Sequence, residues 1–258
     1  MVTDPWLGPA QRFDLSGKVA LVTGGSRGLG LSMVRAFAAA GADVVVTSRK
    51  LAACQAVAEE VTAATGRRAV ALGCNIGRWE ELDGLVEGAY EAFGRLDVLV
   101  NNAGMSLLYG SPVEVTEGLW DKVVDLNMKG VFRLTALVAS RMVAQEGGSI
   151  INVSTVGSIR PNPDILPYAA AKAGMNAMTV GFAHAYGPTV RVNCIMPGPF
   201  LTDVTKAWDM DAFTAGAQRF ALRRGGQPDE VVGAALYFAS DASSFTTGAV
   251  LRVDGGIP

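Results

Sequence analysis

Residues 18–30 read KVALVTGGSRGLG, and this stretch decides the fold class. An apolar run of strand length is followed by a glycine-rich turn that opens into a helical stretch. Gly24 permits a tight turn, while Gly28 and Gly30 let the backbone and the helix approach an anion at the helix N-terminus. We therefore predict a pyrophosphate-binding turn made of Gly24, Ser26, Arg27, Gly28, Leu29 and Gly30.

The same strand-to-helix alternation continues along the rest of the chain. Strands are predicted at 18–23, 43–47, 68–72, 97–101, 149–153, 190–195 and 249–253. Helices are predicted at 28–40, 50–65, 79–93, 116–145, 167–186 and 228–240. The strands are apolar at nearly every position, which is typical of strands buried on both faces of a parallel sheet. The sequence thus predicts a single-domain, Rossmann-type doubly wound α/β fold with about seven strands and helices on both faces.

Composition narrows the function classes. The 258 residues carry one His, three Cys and a net charge of −2. One histidine disfavours a Ser-His-Asp hydrolase and a His-rich zinc site, so no metal is expected. The near-neutral net charge does not indicate a basic surface that would bind nucleic acid. Three cysteines without a CxxC pair indicate buried thiols of a reduced compartment, and we expect a cytoplasmic protein.

The domain organisation is expected to be simple. Residues 1–14 have no apolar core of a signal peptide and are interpreted as a loose tail before one domain at 15–258. No apolar run approaches the length of a membrane span, so no membrane partner is expected. Charged residues make up only 18% of the chain, which favours either a large core or a surface covered by a partner.

The end of the second strand bears on the choice of dinucleotide. An acidic residue here usually binds the ribose 2′-hydroxyl of NAD, but this sequence has Ser48 and Arg49 instead. Arg27 lies in the glycine turn, so two guanidinium groups could converge on a 2′-phosphate. We therefore expect NADP(H), with NAD(H) as the alternative.

A tyrosine and a lysine form the candidate acid–base pair. Tyr168 and Lys172 stand four residues apart in YAAAK, which places both on one helix face. A free tyrosine is a poor acid–base group at neutral pH, and a neighbouring ammonium lowers its pKa. The pair is therefore expected to exchange a proton with a substrate oxygen.

Together, TGGSRGLG, NNAG at 101–104, YAAAK and the Pro-Gly pair at 197–198 resemble the short-chain dehydrogenase/reductase family from about residue 15 to residue 256. The resemblance implies that Lys172 also holds the nicotinamide ribose and that Asn127 supports a proton relay. It implies a substrate-binding hydroxyl thirteen residues before the tyrosine, where this chain has Thr155. Ser154 stays open as the alternative. Further cofactor contacts are expected from Asn75, Ile76, Asn102, Ala103, Gly104, Pro197, Gly198 and Thr202.

The expected activity is hydride transfer between NADP(H) and a ketone or secondary alcohol, with a substrate lid at about 201–220. The alternative within the enzyme class is a 3-oxoacyl-thioester reductase. An acyl-carrier partner is disfavoured because Ala183-His184-Ala185-Tyr186 replaces the Arg-Glu pair of such relatives. The alternative from another class is a catalytically silent NADP-binding interaction protein. Relatives are mostly tetramers through the helices at 116–145 and 167–186, so we expect a homotetramer, with residues such as Val123, Val131 and Leu134 available to its interface.

Overall fold

The protein, in a computed structural model that describes residues 8–203, 205 and 208–258, is built on one parallel sheet. The strand order is β3-β2-β1-β4-β5-β6-β7. The strands are β1 (Val19–Thr23), β2 (Asp43–Ser48), β3 (Ala69–Gly73), β4 (Val98–Asn101), β5 (Gly148–Val153), β6 (Val190–Pro197) and β7 (Val250–Val253). Every predicted strand is confirmed, with small differences at the ends.

The helices surround this sheet. They are α1 (Pro9–Arg12), α2 (Gly28–Ala39), α3 (Leu51–Thr65), α4 (Leu82–Phe93), α5 (Glu117–Val124), α6 (Gly130–Val143), α7 (Leu166–Tyr186), α8 (Met210–Ala217) and α9 (Val232–Ala239). The helix predicted at 116–145 is confirmed over Glu117–Val143, except that a π-helical turn at Asp125–Lys129 lies between α5 and α6. The predicted lid contains α8, which the sequence did not predict and whose first amides are capped by the Asp209 carboxylate.

The two faces of the sheet carry separate cores. Along β1, Ala20 and Val22 pack into a core with α2, α3 and α9, while Val19 and Leu21 pack into one with α4, α6 and α7. This alternation confirms the doubly wound α/β class. The expectation that all strands are buried on both faces fails at the sheet edges, where β3 is partly exposed and β7 mostly exposed. Within the described chain, no further strand pairs with the outer edge of β3 or of β7.

The predicted tail lies partly outside the described residues, which exclude 1–7; within the rest of it, α1 makes one helical turn. The predicted domain begins at Leu15, which is fully buried. Three residues of the predicted lid, at 204, 206 and 207, also lie outside the described chain. No helix among the described residues is long and apolar enough to cross a membrane.

Candidate functional site

The site begins at the carboxyl ends of β1 and β4, where the strand order reverses direction along the sheet. Such switch points form ligand crevices in open α/β sheets. The Thr23 hydroxyl donates to the Val100 carbonyl at 3.1 Å and accepts from the backbone amides of Asn102 and Ala103 at 2.9 and 3.0 Å. The Asn102 side-chain amide donates back to the Thr23 carbonyl at 2.8 Å. Thr23 is a site residue that the sequence interpretation missed, although a threonine closing a buried strand before a glycine turn was a usable signal.

The glycine turn has the shape of a phosphate cradle. Gly24 and Gly28 have φ values of +65° and +55°, which favour glycine. A Cβ on Gly30 would lie 2.3 Å from the Gly24 carbonyl oxygen, so only glycine fits. Arg27 occupies the N-cap of α2 and makes no side-chain cap, which leaves the first helical amides to a ligand. Thr202 lies beside the turn, 3.6 Å from where a Cβ of Gly28 would be. These residues fit a dinucleotide pyrophosphate.

The end of β2 joins the glycine turn through two serines. The Ser26 hydroxyl lies 3.2 Å from that of Ser48, and Ser48 also contacts the Cys54 sulfur at 3.0 Å. Arg27 and Arg49 each directly follow one of these serines in the chain. Both side chains are exposed, and neither makes a hydrogen bond or ion pair with another described residue. The contact between the two serines therefore brings the chain positions just before Arg27 and Arg49 close together.

The residues after β3 are oriented differently from one another. The Asn75 side-chain oxygen accepts from the Gly77 amide at 3.2 Å and shapes the turn. Ile76 is buried in the core with 3% of its surface exposed. Its carbonyl packs so closely on the π-helical turn that a Cβ on Gly130 would lie 1.8 Å from the Ile76 oxygen. Ile76 therefore packs against the start of α6, while the Asn75 side chain stays partly exposed.

Tyr168 and Lys172 occupy the first two turns of α7. The Tyr168 ring is partly exposed, while Lys172 has only 2% of its surface exposed. The Lys172 ammonium donates to the Val153 carbonyl at 2.7 Å and lies 5.9 Å from the centroid of the Tyr168 ring. The helical spacing thus places both groups on the face that meets the end of β5, as predicted from the i, i+4 pattern.

Burial controls the proton affinity of both groups. Burial raises the pKa of Tyr168 to about 12, and a hydrogen bond with the Thr155 side chain opposes this rise. Burial lowers the pKa of Lys172 to about 8, partly offset by the nearby Cys194 sulfur. The expectation that the lysine lowers the tyrosine pKa is wrong for this structure, because the ammonium is turned to the Val153 carbonyl and burial dominates.

The two candidate hydroxyls after β5 face different neighbours. The Thr155 side chain lies close enough to Tyr168 to lower its pKa, and its hydroxyl accepts from the Gly157 amide at 3.2 Å. Ser154 is 97% buried, and its hydroxyl donates to the Lys172 backbone carbonyl at 3.3 Å. Consecutive side chains of an extended segment point in opposite directions. Thr155 therefore faces the phenol, and Ser154 faces the backbone of α7.

Asn127 ties the helix pair to the turn after β4. Its side-chain amide donates to the carbonyls of Met105 and Val123, both at 2.8 Å, and its oxygen accepts from the Met105 amide at 3.2 Å. The residue lies within the π-helical turn, which fits a mid-helix asparagine that serves a local hydrogen bond. A Cβ on Gly104 would lie 3.0 Å from the Asn127 oxygen and 3.6 Å from the Lys172 ammonium. Gly104 therefore lies between the Asn127 side chain and the Lys172 ammonium of the Tyr168–Lys172 pair.

The remaining wall comes from the segment after β6. At Gly198 a Cβ would lie 2.8 Å from the Cα of Asp254, so the Pro197-Gly198 turn packs tightly on the C-terminal segment. Beyond it, the Trp208 and Phe213 rings lie 5.3 Å apart. Trp208 and Met210 are 38% and 42% exposed, so they do not belong to the core. The exposed apolar side chains favour an apolar lining of the outer cleft.

Two of the three cysteines lie next to proposed site residues, Cys54 beside Ser48 and Cys194 near Lys172. Cys54, Cys74 and Cys194 are free and buried, which confirms the expectation of buried thiols. Within the described part of the chain, no group of three or more His, Cys, Asp or Glu side chains is arranged to hold a metal ion.

Comparisons with known proteins agree with the fold and the motifs. A family model described as enoyl-(acyl carrier protein) reductase matches residues 24–258. A 3-oxoacyl-[acyl-carrier-protein] reductase of Thermotoga maritima is 37% identical over 94% of this chain and 98% of its own length. A solved short-chain type dehydrogenase/reductase from Mycobacterium marinum is 32% identical, with a TM-score of 0.88 over 95% of this chain and 97% of the other.

A second solved structure extends the comparison. The NADPH-dependent 3-quinuclidinone reductase from Rhodotorula rubra is 29% identical, with a TM-score of 0.91 over 98% of this chain and 97% of the other. The family match covers nearly the whole chain and includes the glycine turn and the tyrosine–lysine helix. The chain therefore belongs to the short-chain dehydrogenase/reductase family and is an oxidoreductase that interconverts CH–OH and C=O groups with a nicotinamide cofactor.

Proposed function

We propose that the protein transfers a hydride between NADP(H) and a ketone or secondary alcohol, with Tyr168 as the general acid and base. The observation that carries this proposal is the chain of contacts around Tyr168. The Thr155 side chain lies beside the phenol, the Lys172 ammonium lies 5.9 Å from the centroid of the Tyr168 ring, and Gly104 lies between Lys172 and Asn127. The glycine turn and the tyrosine helix thus open onto the same edge of the sheet.

Each residue has a distinct task in this proposal. When bound, the nicotinamide supplies the hydride in reduction and accepts it in oxidation. Tyr168 donates its phenolic proton to the carbonyl oxygen in reduction and takes the proton back in oxidation. Burial raises the pKa of the phenol to about 12, so Tyr168 is protonated at neutral pH and holds the proton that reduction consumes. Thr155 orients the substrate oxygen, while Lys172 binds the ribose and Asn127 holds the proton relay in position.

The preference for NADP(H) rests on charge at the end of β2. Arg27 and Arg49 are exposed and flank the bonded serines Ser26 and Ser48. The strand end has no carboxylate that would repel a 2′-phosphate or bind a free 2′-hydroxyl. The name of the Rhodotorula relative, an NADPH-dependent reductase, supports the same preference.

Arg49→Ala should raise KM for NADPH about tenfold or more, as expected for a lost charge-assisted hydrogen bond. KM for NADH should change little, because NADH has no 2′-phosphate. Steady-state kinetics with both cofactors measure this difference. Arg35→Ala is the matched control, since Arg35 is exposed and paired with Glu60 on the helical surface. Equal changes for the two cofactors would contradict the assignment.

The substrate class is tested by a panel of carbonyl compounds with NADPH and NADH in parallel. A small or medium ketone, secondary alcohol or polyol is the leading class, with a lid at about 201–220 covering it. The Thermotoga relative favours 3-oxoacyl thioesters as the second candidate, and the panel includes a 3-oxoacyl-CoA. NADPH binding without turnover of any compound would instead favour the silent interaction protein.

Assembly is proposed from apolar side chains on the outer helices. Val123, Val131 and Leu134, expected at the interface, belong instead to the buried interior of the single chain, where each has at most 1% of its surface exposed. Other apolar residues of α5, α6 and α7 are exposed, as are residues of β7 and of the loop before it. These residues are Trp120, Phe132, Val143, Leu166, Val180, Phe245, Val250 and Leu251. We place a homotetramer in the cytoplasm, where buried free thiols are stable.

Sedimentation should find a tetramer at micromolar protein concentration. Val180 is 44% exposed on α7, so Val180→Glu should place a charge in the helix interface and shift the protein to smaller species. Val113→Glu is the control, because Val113 is 91% exposed outside these helices. A wild-type protein that sediments as a stable monomer would overturn the tetramer.

A further inference from the structure

One tyrosine outside the recognised motifs joins two walls of the candidate cleft. The Tyr109 hydroxyl donates to the Pro163 carbonyl at 2.6 Å and accepts from the Leu166 amide at 2.8 Å. Tyr109 lies in the segment that follows β4, whereas Pro163 and Leu166 lie immediately before and at the start of α7. One hydroxyl thus connects backbone groups more than fifty residues away in sequence.

The start of α7 needs this outside partner. Its N-cap residue, Ile165, has no polar side chain and makes no side-chain cap. Pro167 lacks an N–H group, so it cannot take part in capping. The Leu166 amide is one of the free amides at a helix N-terminus, and an accepting oxygen there is stabilising. Tyr109 supplies that oxygen two residues before Tyr168.

The other end of the same segment is anchored as well. Met105 exchanges two hydrogen bonds with Asn127, at 2.8 and 3.2 Å. The segment from Met105 to Tyr109 is therefore held at one end on the π-helical turn and at the other on α7. Leu107 and Leu108 lie between the two anchors, and Leu108 is 76% exposed.

We propose that Tyr109 is a positioning residue that fixes the first turn of α7, and with it the Tyr168 phenol, while closing the outer end of the substrate cleft. The inference rests on the proposed function for its effect on catalysis. The Tyr109 hydroxyl bonds to backbone atoms, so the Tyr109→Phe variant keeps the aromatic ring and loses only these two hydrogen bonds. A displaced phenol lowers kcat, because catalysis depends on alignment to within a fraction of an ångström.

Two measurements on the full-length protein test this proposal. Tyr109→Phe should speed hydrogen–deuterium exchange in the peptide that covers residues 163–172, and should lower kcat for ketone reduction about tenfold. The NADPH dissociation constant should change much less than kcat, because the glycine turn and the end of β2, which are proposed to hold the phosphates, lie outside α7. Tyr90→Phe is the matched control, since it removes a tyrosine hydroxyl that bonds to Gln145 at 2.9 Å away from the site.

The outcomes are separable. If hydrogen–deuterium exchange in Tyr109→Phe matches that in the Tyr90→Phe control, the proposal that Tyr109 holds the start of α7 fails. It fails even if kcat falls, because Tyr109 would then affect kcat by another route. Faster exchange with unchanged kcat would overturn its catalytic positioning role. If the wild-type enzyme turns over no compound, the proposed function fails, while the exchange experiment still decides whether Tyr109 holds the start of α7.

Discussion

Tyr168→Phe should lower kcat for ketone reduction by about 1,000-fold, in the middle of the range for a lost general acid. The phenol lies beside the Thr155 side chain, which lowers its pKa against the effect of burial. Phenylalanine keeps the ring and its packing over Lys172 but has no proton to donate. NADPH binding should be nearly unchanged, because the glycine turn and the two arginines are untouched.

Fluorescence titration of NADPH and single-turnover kinetics separate binding from chemistry in this variant. Tyr186→Phe is the control on the same helix, because its hydroxyl bonds to the Ala136 carbonyl at 3.4 Å, far along α7. A Tyr168→Phe enzyme that retains more than a tenth of wild-type kcat would remove Tyr168 from the acid role, given the usual size of general acid catalysis.

Thr155→Val should lower kcat by about 100-fold, which is typical of losing one donor that stabilises a developing oxyanion. Valine has nearly the shape of threonine, so any fall in kcat is due to removal of the hydroxyl beside Tyr168. The variant also loses the bond from the Gly157 amide, so thermal unfolding has to be measured alongside kcat. Thr155→Ser restores the hydroxyl and should recover most of the activity.

Ser154→Ala should change kcat by less than about fivefold, because a hydrogen bond away from the reacting groups contributes only about 1 kcal/mol. Its hydroxyl donates to the Lys172 carbonyl and faces away from the phenol. The pair of variants therefore distinguishes the two hydroxyls on one strand end. A large loss in Ser154→Ala with little loss in Thr155→Val would reassign the substrate-binding hydroxyl.

The fold was accessible from sequence because its signals are local. Each buried strand is an apolar run, and each useful residue follows directly after one, as Thr23-Gly24 and Asn101-Asn102 do. The break at Asp125–Lys129 was harder to predict, since the i to i+5 turn depends on contacts of Asn127 and Gly130 with distant loops. The helix α8 was missed because its short stretch carries little periodic signal.

Some features of the site could also be predicted from the sequence, and others could not. Tyr168 and Lys172 were predicted from spacing, because helix geometry fixes which residues share a face. The direction of the Lys172 ammonium and the pKa of Tyr168 were not, since both depend on burial and on the Val153 carbonyl. Tyr109 carries no motif at all, and only its two long-range backbone bonds reveal it.

The sequence alone determined the doubly wound α/β class, because buried strands and helices differ in the periodicity of their apolar residues. It also predicted the glycine turn, the Tyr168–Lys172 pair, and Arg27 and Arg49, because each is recognised by its place after a strand or along a helix. The tertiary structure alone decided that Thr155 faces the phenol and that Ser154 faces away. It also decided that burial, more than the lysine charge, sets the Tyr168 pKa. Side-chain direction and solvent access arise from packing between distant segments, and no local pattern encodes them.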